Sequence, residues 1–469
     1  MADGRHSSKL ITGKLLSIST RAGRFLLVLI SSLVLAYFIT DDSYEEIQYY
    51  TLVLLFLSVG LWMTEAVPPF AVAILIMGYL IFMIGQLAPL EGVERTEKYV
   101  NTMSSPIIWL LLGGFFLAHG MKVTRLDLAL FNASAKAFGS KPNNILLGLM
   151  LTTMFSSMIM SNTAATAMMI ASVMPFITSL EKGAPITKAI LLGIPSAATL
   201  GGMGTIIGSP PNAIAVALLE DQGTSVNFVK WMVYGLVPAV IAVLFFWFIL
   251  TGKFISKRSS IDLKIEQNTD DFEVSPIRRR RVLIILIVTV VLWLTTPLHG
   301  WPVAAVAFLP IVFLPIFGIV TSKDFNTMPW DTLILVAGGL SLGMALDDAG
   351  IIDRFVGGLE VTGMPPFVIM LLFGWITVVL SNIMSNTATS TILIPVAITI
   401  LPAFSEDIAV VVALSASCAL LLPVSTPPNA MAYSTGLLDQ KDFRLGGIVL
   451  GLLGPVVATA WVSFLQLLF

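Results

Sequence analysis

Two stretches of this chain place the same three polar residues in otherwise apolar surroundings: Ser161-Asn162-Thr163 and Ser385-Asn386-Thr387. Their hydroxyl and carboxamide oxygens can accept from backbone N–H groups or coordinate a hard cation. Ser, Thr and Asn are also helix N-cap residues, so each triplet can split a helix in two. The second piece would start with free N–H groups and a partial positive charge suited to an anion. The first would end in free carbonyls, which with Ser and Asn oxygens form a cage for Na⁺. Each triplet is followed by a Pro-Pro-Asn, in Gly208-Ser209-Pro210-Pro211-Asn212 and Ser425-Thr426-Pro427-Pro428-Asn429. These prolines are expected to end the preceding helix. Asn212 and Asn429 would then open a short second piece, with the carbonyls of Gly208 and Ser425 left to coordinate.

No Lys, Arg, Asp, Glu or His lies near either triplet. An anion held there must be neutralised by half-helix dipoles and co-bound cations, which links anion and Na⁺ binding thermodynamically. Small polar residues also serve as packing glue between membrane helices. One triplet alone would mean no more than that; a duplicated triplet with a duplicated Pro-Pro-Asn asks for a site. Glu65, before Pro68-Pro69, reads as a helix cap or interfacial anchor, and His119 as structural. With His6 and His299 in a tail and a loop, no His-based metal centre or Ser-His-Asp arrangement can be assembled.

The elements that must position these residues are membrane spans. The 469 residues are 56% hydrophobic and only 12% charged, about half the charge of a soluble domain. The net charge of -2 gives no basic surface for nucleic acid, and the single cysteine, Cys418, supports neither a disulfide framework nor a Cys metal site. Windows long enough for the bilayer predict an all-α membrane protein with eleven transmembrane helices, near 25–40, 50–67, 70–89, 144–180, 188–207, 229–251, 282–298, 302–320, 366–402, 408–424 and 445–468. The fourth and ninth are long and interrupted by the triplets. Two more apolar stretches, 105–138 and 328–360, contain Gly113-Gly114 and Gly338-Gly339 and read as re-entrant hairpins. With a cytoplasmic N-terminus, inside loops hold eighteen Lys/Arg against three outside. The positive-inside rule then puts the C-terminus outside, in the cell membrane.

The chain divides into a tail (1–24), an extra first span (25–49), a first repeat (50–251), a polar linker (252–281) with Arg278 to Arg281, and a second repeat (282–469). The halves match in series: Pro106 with its Gly113-Gly114 against Pro329 with Gly338-Gly339, the two Ser-Asn-Thr, and the two Pro-Pro-Asn. Each repeat has five spans, each with one re-entrant hairpin and one interrupted helix. Five is odd, so the second repeat is inverted, the architecture of secondary transporters.

The paired Ser-Asn-Thr and Pro-Pro-Asn resemble the divalent anion/sodium symporter family of di- and tricarboxylate transporters, and the likeness runs from about Trp62 to the C-terminus. The resemblance implies a homodimer in the lipid bilayer, moving its substrate by an elevator mechanism. It implies one sodium site of Ser157, Ser161, Asn162 and Gly208, and a second of Ser381, Met384, Asn386 and Ser425, where 384 and 425 act through main-chain carbonyls. Substrate carboxylates would meet Asn162, Thr163, Asn386, Thr387, Thr426 and Pro427, with Ser161, Ser385 and Ser209 close by. The function expected is sodium-coupled symport of C4-dicarboxylates such as succinate, malate and fumarate, with no organic cofactor and no enzymatic activity. Citrate or sulfate symport, or sodium-independent exchange, are the alternatives. A membrane-embedded sodium-pumping enzyme subunit would need a titrating group in mid-span, which neither triplet supplies.

Overall fold

A computed structural model describes residues 20–87, 93–127, 129, 141–181, 183–255, 275–351, 354 and 364–468. Much of the N-terminal tail and the 252–281 linker, and most of the segments expected as return arms of the Gly-Gly hairpins, lie outside the described residues.

The described residues fold into helices joined by short turns. The first are α1 (Arg21–Ile39), α2 (Glu46–Thr64), α3 (Pro69–Tyr79), α4 (Val93–Val100) and α5 (Pro106–Val123). Then come α6 (Pro142–Ser157), α7 (Asn162–Ser179), α8 (Pro185–Gly201), α9 (Pro210–Asp221) and α10 (Phe228–Phe254). The second half supplies α11 (Pro276–Leu294), α12 (Val303–Ile316), α13 (Trp330–Asp348), α14 (Pro366–Ile383), α15 (Asn386–Ile400), α16 (Ser405–Ala416), α17 (Pro427–Ser434) and α18 (Phe443–Gln466). Proline opens many of them, because it lacks only an N–H that the first turn cannot use.

Eleven spans were expected; eight helices among the described residues are long and apolar enough to cross a bilayer, or nine if the bent pair is one span. The shortfall has identifiable causes. A π turn at Leu80–Ile84 interrupts the 70–89 segment. Phe317 and Gly318 (φ +64°) end α12 after 14 residues. The Arg quartet lies inside the first turns of α11, which disqualifies it by charge. α15 and the segment carrying α16 meet at 114°. Helix α13 and the segment containing α5, both expected as hairpin arms, are themselves long and apolar enough to cross.

The chain forms two compact units, residues 1–105 with 330–363, and residues 106–329 with 364–469. Neither follows the repeat boundaries, since each combines pieces of both halves. In the first unit α13 packs on α3; in the second α5 packs on α12. These are the same contact made twice. A Cβ on Gly338 would lie 2.5 Å from Ala73 Cβ, and one on Gly113 would lie 2.7 Å from Ala307 Cβ. Each Gly-Gly helix therefore approaches backbone-close against a Pro-led helix of the other repeat, the small-residue packing that membrane helices use.

Candidate functional site

Both triplets break their helices. The chain leaves α6 at Ser157 and starts α7 at Asn162, with Ser161 as N-cap accepting from Ala164 N at 3.2 Å. It leaves α14 at Ile383 and starts α15 at Asn386, with Ser385 capping Ala388 N at 3.1 Å. The cap serines sit in extended backbone (ψ 147° and 149°), so the ladder stops there for a local reason.

The Pro-Pro-Asn segments behave differently from expectation. Helix α8 ends at Gly201, before the prolines, and continues as two 3₁₀ turns, Gly202–Gly204 and Ile206–Gly208. The prolines start α9 and α17, with Ser209 and Thr426 as the N-cap residues. Asn212 and Asn429 are therefore third residues of these helices rather than their openers. Their carboxamides reach back into the preceding loops. Asn212 Nδ2 donates to Gly202 O and Thr205 O, both at 2.8 Å. Asn429 Nδ2 donates to Leu420 O at 3.3 Å and Leu422 O at 3.1 Å. Each pair of bonds holds irregular backbone in a fixed shape inside the protein, where its polar groups must be satisfied.

In the first half-site Ser157, Asn162 and Gly208, three of the four expected sodium ligands, lie together. The Asn162 carboxamide lies 2.6 Å from Ser157 Oγ. With its amide nitrogen on that side, it donates to Ser157 Oγ at 2.6 Å, Ala198 O at 3.1 Å and Gly208 O at 3.2 Å. Three oxygens thus surround one position. Ser161, also expected there, spends its hydroxyl on the α7 cap. Ala198, Gly202 and Thr205 were not foreseen. Gly202 leaves room for the Asn162 side chain, and Thr205 Oγ1 donates to Met158 O, tying the loop to the end of α6.

The second half-site is arranged otherwise. Ser381 Oγ and Asn386 Oδ1 are buried oxygens without a hydrogen-bond partner among the described residues. Such atoms suit a hard cation, because their lone pairs are unclaimed and the burial is otherwise costly. Met384 is 5% exposed, in extended backbone, its N–H bonded to Leu380 O at 2.8 Å. Ser425 is linked to the end of α14 through Asn382, whose Oδ1 accepts from Ser425 Oγ at 2.8 Å. Among the residues expected to contact substrate, Ser209, Thr426 and Thr387 are buried, whereas Thr163, Ser385 and Pro427 are exposed.

The two half-sites are knitted by reciprocal packing. Helix α7 of the first repeat packs on α17 of the second, and α15 of the second packs on α9 of the first. Four helix N-termini, at Asn162, Pro210, Asn386 and Pro427, thereby belong to crossed pairs, and none has an acidic residue in its first turn. No cluster of three His, Cys, Asp or Glu that could hold a metal occurs among the described residues. What the arrangement offers is neutral oxygen ligands and N–H dipoles.

Residues 59–416 match the family described as citrate transporter. The chain belongs to that family. It is 31% identical over 441 residues to the sodium-dependent dicarboxylate transporter SdcS of Staphylococcus saprophyticus, covering 86% of this chain and 83% of that protein. An uncharacterized transporter of Haemophilus influenzae is 30% identical over 430 residues, covering 85% and 87%. Two solved structures share the fold at low identity. The Alcanivorax borkumensis YdaH transporter gives a TM-score of 0.58 at 14% identity over 84% of this chain and 97% of that one. The efflux pump MtrF of Neisseria gonorrhoeae gives 0.54 at 12%, over 86% and 96%. These relatives are transporters rather than enzymes, and this member of the family is a multi-pass membrane transporter.

Proposed function

We propose that the protein carries C4-dicarboxylates such as succinate, malate and fumarate into the cell, driven by sodium. The observation that carries this reading is the Asn162 position, ringed by Ser157 Oγ, Ala198 O and Gly208 O. An amide N–H₂ and a Na⁺ ion both seek oxygen lone pairs. For an ion to take that place the Asn162 side chain has to swing aside, after which its Oδ1 can serve as a fourth ligand. The unclaimed Ser381 Oγ and Asn386 Oδ1 supply the start of a second site, completed by the main-chain carbonyls of Met384 and Ser425. The dicarboxylate lies between the triplets, facing Thr163, Thr387 and the caps Ser209 and Thr426, with Pro427 beside them. The dicarboxylate substrate and sodium dependence of SdcS support this choice.

Chain length supports a further refinement. Residues 142–179 as one straight helix would measure roughly 57 Å at 1.5 Å per residue, against a hydrocarbon core of about 30 Å. Helices α6 and α7 both pack on α8, and α14 and α15 both pack on α16. We read each pair as a hairpin that enters and leaves on one side, with its triplet at the tip. Alternation between two faces by an elevator movement, a homodimeric assembly and a cytoplasmic N-terminus complete the proposal. The family's description favours citrate as the competing substrate.

The test is uptake of labelled succinate into proteoliposomes with and without an inward Na⁺ gradient. Gradient-dependent uptake, inhibited by malate and fumarate more strongly than by citrate or sulfate, is the expected result. Uptake indifferent to Na⁺ would refute symport, and preferential inhibition by citrate would move the assignment to the tricarboxylate. Thr163 and Thr387 substitutions should change that inhibition order.

A further inference from the structure

In both half-sites the loop donates a hydrogen bond to the end of the preceding helix, but the acceptor is a main-chain carbonyl in the first and a side-chain oxygen in the second. In the first, Thr205 on the loop donates its hydroxyl to the Met158 carbonyl at the end of α6. The matching positions of the second repeat, by the offsets of its motifs, are Leu422 and Asn382. Leu422 has no hydroxyl to give, so this position cannot reach the helix end as Thr205 does. Asn382 receives the loop's donors instead. Its Oδ1 accepts from Leu421 N at 2.9 Å and from Ser425 Oγ at 2.8 Å.

Backbone donors fix every orientation in this network. Leu421 N–H can only donate, so the Asn382 atom facing it is the oxygen. Asn382 Nδ2 then points along the helix and donates to Val378 O at 2.8 Å. Leu422 N donates to Ser425 Oγ at 3.1 Å, which leaves the hydroxyl proton of Ser425 for Asn382. The Ser425 hydroxyl proton is thus committed to holding the loop.

We infer that Asn382 is the positioning residue of the second cation site: it holds the 417–426 loop against the end of α14 so that the Ser425 carbonyl faces Ser381 and Asn386. This rests on the sodium-coupled reading above. Asn382 is not itself a cation ligand, because its oxygen already takes two hydrogen bonds.

The experiment is a Na⁺ titration of succinate uptake in proteoliposomes. The parent protein comes first: if its uptake ignores Na⁺, the functional reading fails and not this one. With a sodium-dependent parent, Asn382→Met should raise the half-saturating Na⁺ concentration roughly tenfold, about 1.4 kcal/mol, with the maximal rate at saturating Na⁺ largely kept. Asn382→Asp keeps the acceptor and should titrate at or below the parent. Asn382→Met with Leu422→Thr, which copies the first repeat's tie, should bring the curve back toward the parent. A parental curve for Asn382→Met, or a lower maximal rate with an unmoved half-saturation, would overturn the inference. Should that variant fail to fold, Ser425→Ala decides, since it deletes one of the two donors; an unmoved curve overturns the inference there too.

Discussion

Gly202→Ala separates the proposed cation cage from the fold around it. Gly202 has helical dihedrals (φ -55°, ψ -23°), so alanine is conformationally acceptable. The smaller entropy of the unfolded chain favours Ala by about 0.4–1 kcal/mol. Against this, the new methyl would lie 2.6 Å from the Asn162 carboxamide and 2.9 Å from Gly208 O. Overpacking of this kind costs about 1–3 kcal/mol, so the net loss is about 2–3 kcal/mol at most. The consequence for the ion is larger. Carbon contacts relax to about 3.5 Å, which asks the carboxamide and the carbonyl to move by roughly half an ångström or more. Metal ligands tolerate only about 0.2 Å of error. The half-saturating Na⁺ concentration of Gly202→Ala should therefore rise at least about tenfold, with the protein still recovered as a folded species. Gly204→Ala is the matched control. The atoms nearest its methyl would be those of the Met158 side chain, at 3.0–3.2 Å, and a thioether can swing aside. A Gly202→Ala protein that is folded and titrates with Na⁺ like its parent would refute the cage at Asn162.

Four other outcomes follow from single contacts. Asn212→Ala should lower the thermal midpoint more than Asn429→Ala, because its two bonds, at 2.8 Å each, are shorter than the 3.1 and 3.3 Å of the other clamp; removing two buried bonds is worth about 1–3 kcal/mol. Gly338→Val should destabilise the protein by more than about 2 kcal/mol in a denaturation assay, since Ala73 backbone atoms at 2.7 and 2.8 Å cannot yield. Glu65 caps α2 in the left-handed region (φ 48°), so Glu65→Gly should raise the melting temperature slightly, by a net gain below about 1 kcal/mol. The Asp324 carboxyl, hydrogen-bonded by the Thr321 hydroxyl and N–H and 3.0 Å from His119 Nε2, is held below the usual carboxylate range. Its contribution is therefore present above its unfolded pKa of about 3.9 and lost as pH falls through the lower folded value. Melting temperatures followed down to pH 3 should fall less steeply for Asp324→Asn than for the parent.

The helix breaks were legible because their cause is local. Ser161 and Ser385 stop a helix through their own hydroxyls, and no distant residue is needed to see it. The same locality could have placed Ser209 and Thr426 as caps, for proline favours the first position inside a helix. Reading the prolines as terminators instead put Asn212 and Asn429 at the helix start and missed their clamping role. The span count differs from the number of long apolar helices for another reason. A hydropathy window averages over the left-handed turn at Gly318 and the π turn at Leu80–Ile84, which shorten two segments by conformation rather than by composition.

What no local reading could supply is the partner of each side chain. Asn382 stands beside Ser381 in the sequence and looks like one more member of a polar cluster. Its role appears only when Leu421 and Ser425, some forty residues away, are laid against it. The same is true of Gly113 and Gly338, whose close approach to Ala307 and Ala73 is a property of the other repeat. The duplicated motifs nonetheless constrain these long-range contacts, because a contact made once must be satisfied again. Where one half ties Thr205 to the Met158 carbonyl, the other has leucine at 422, and the Asn382 side chain receives the loop's donors instead. An internal repeat therefore carries information about tertiary structure at the very positions where its two copies disagree.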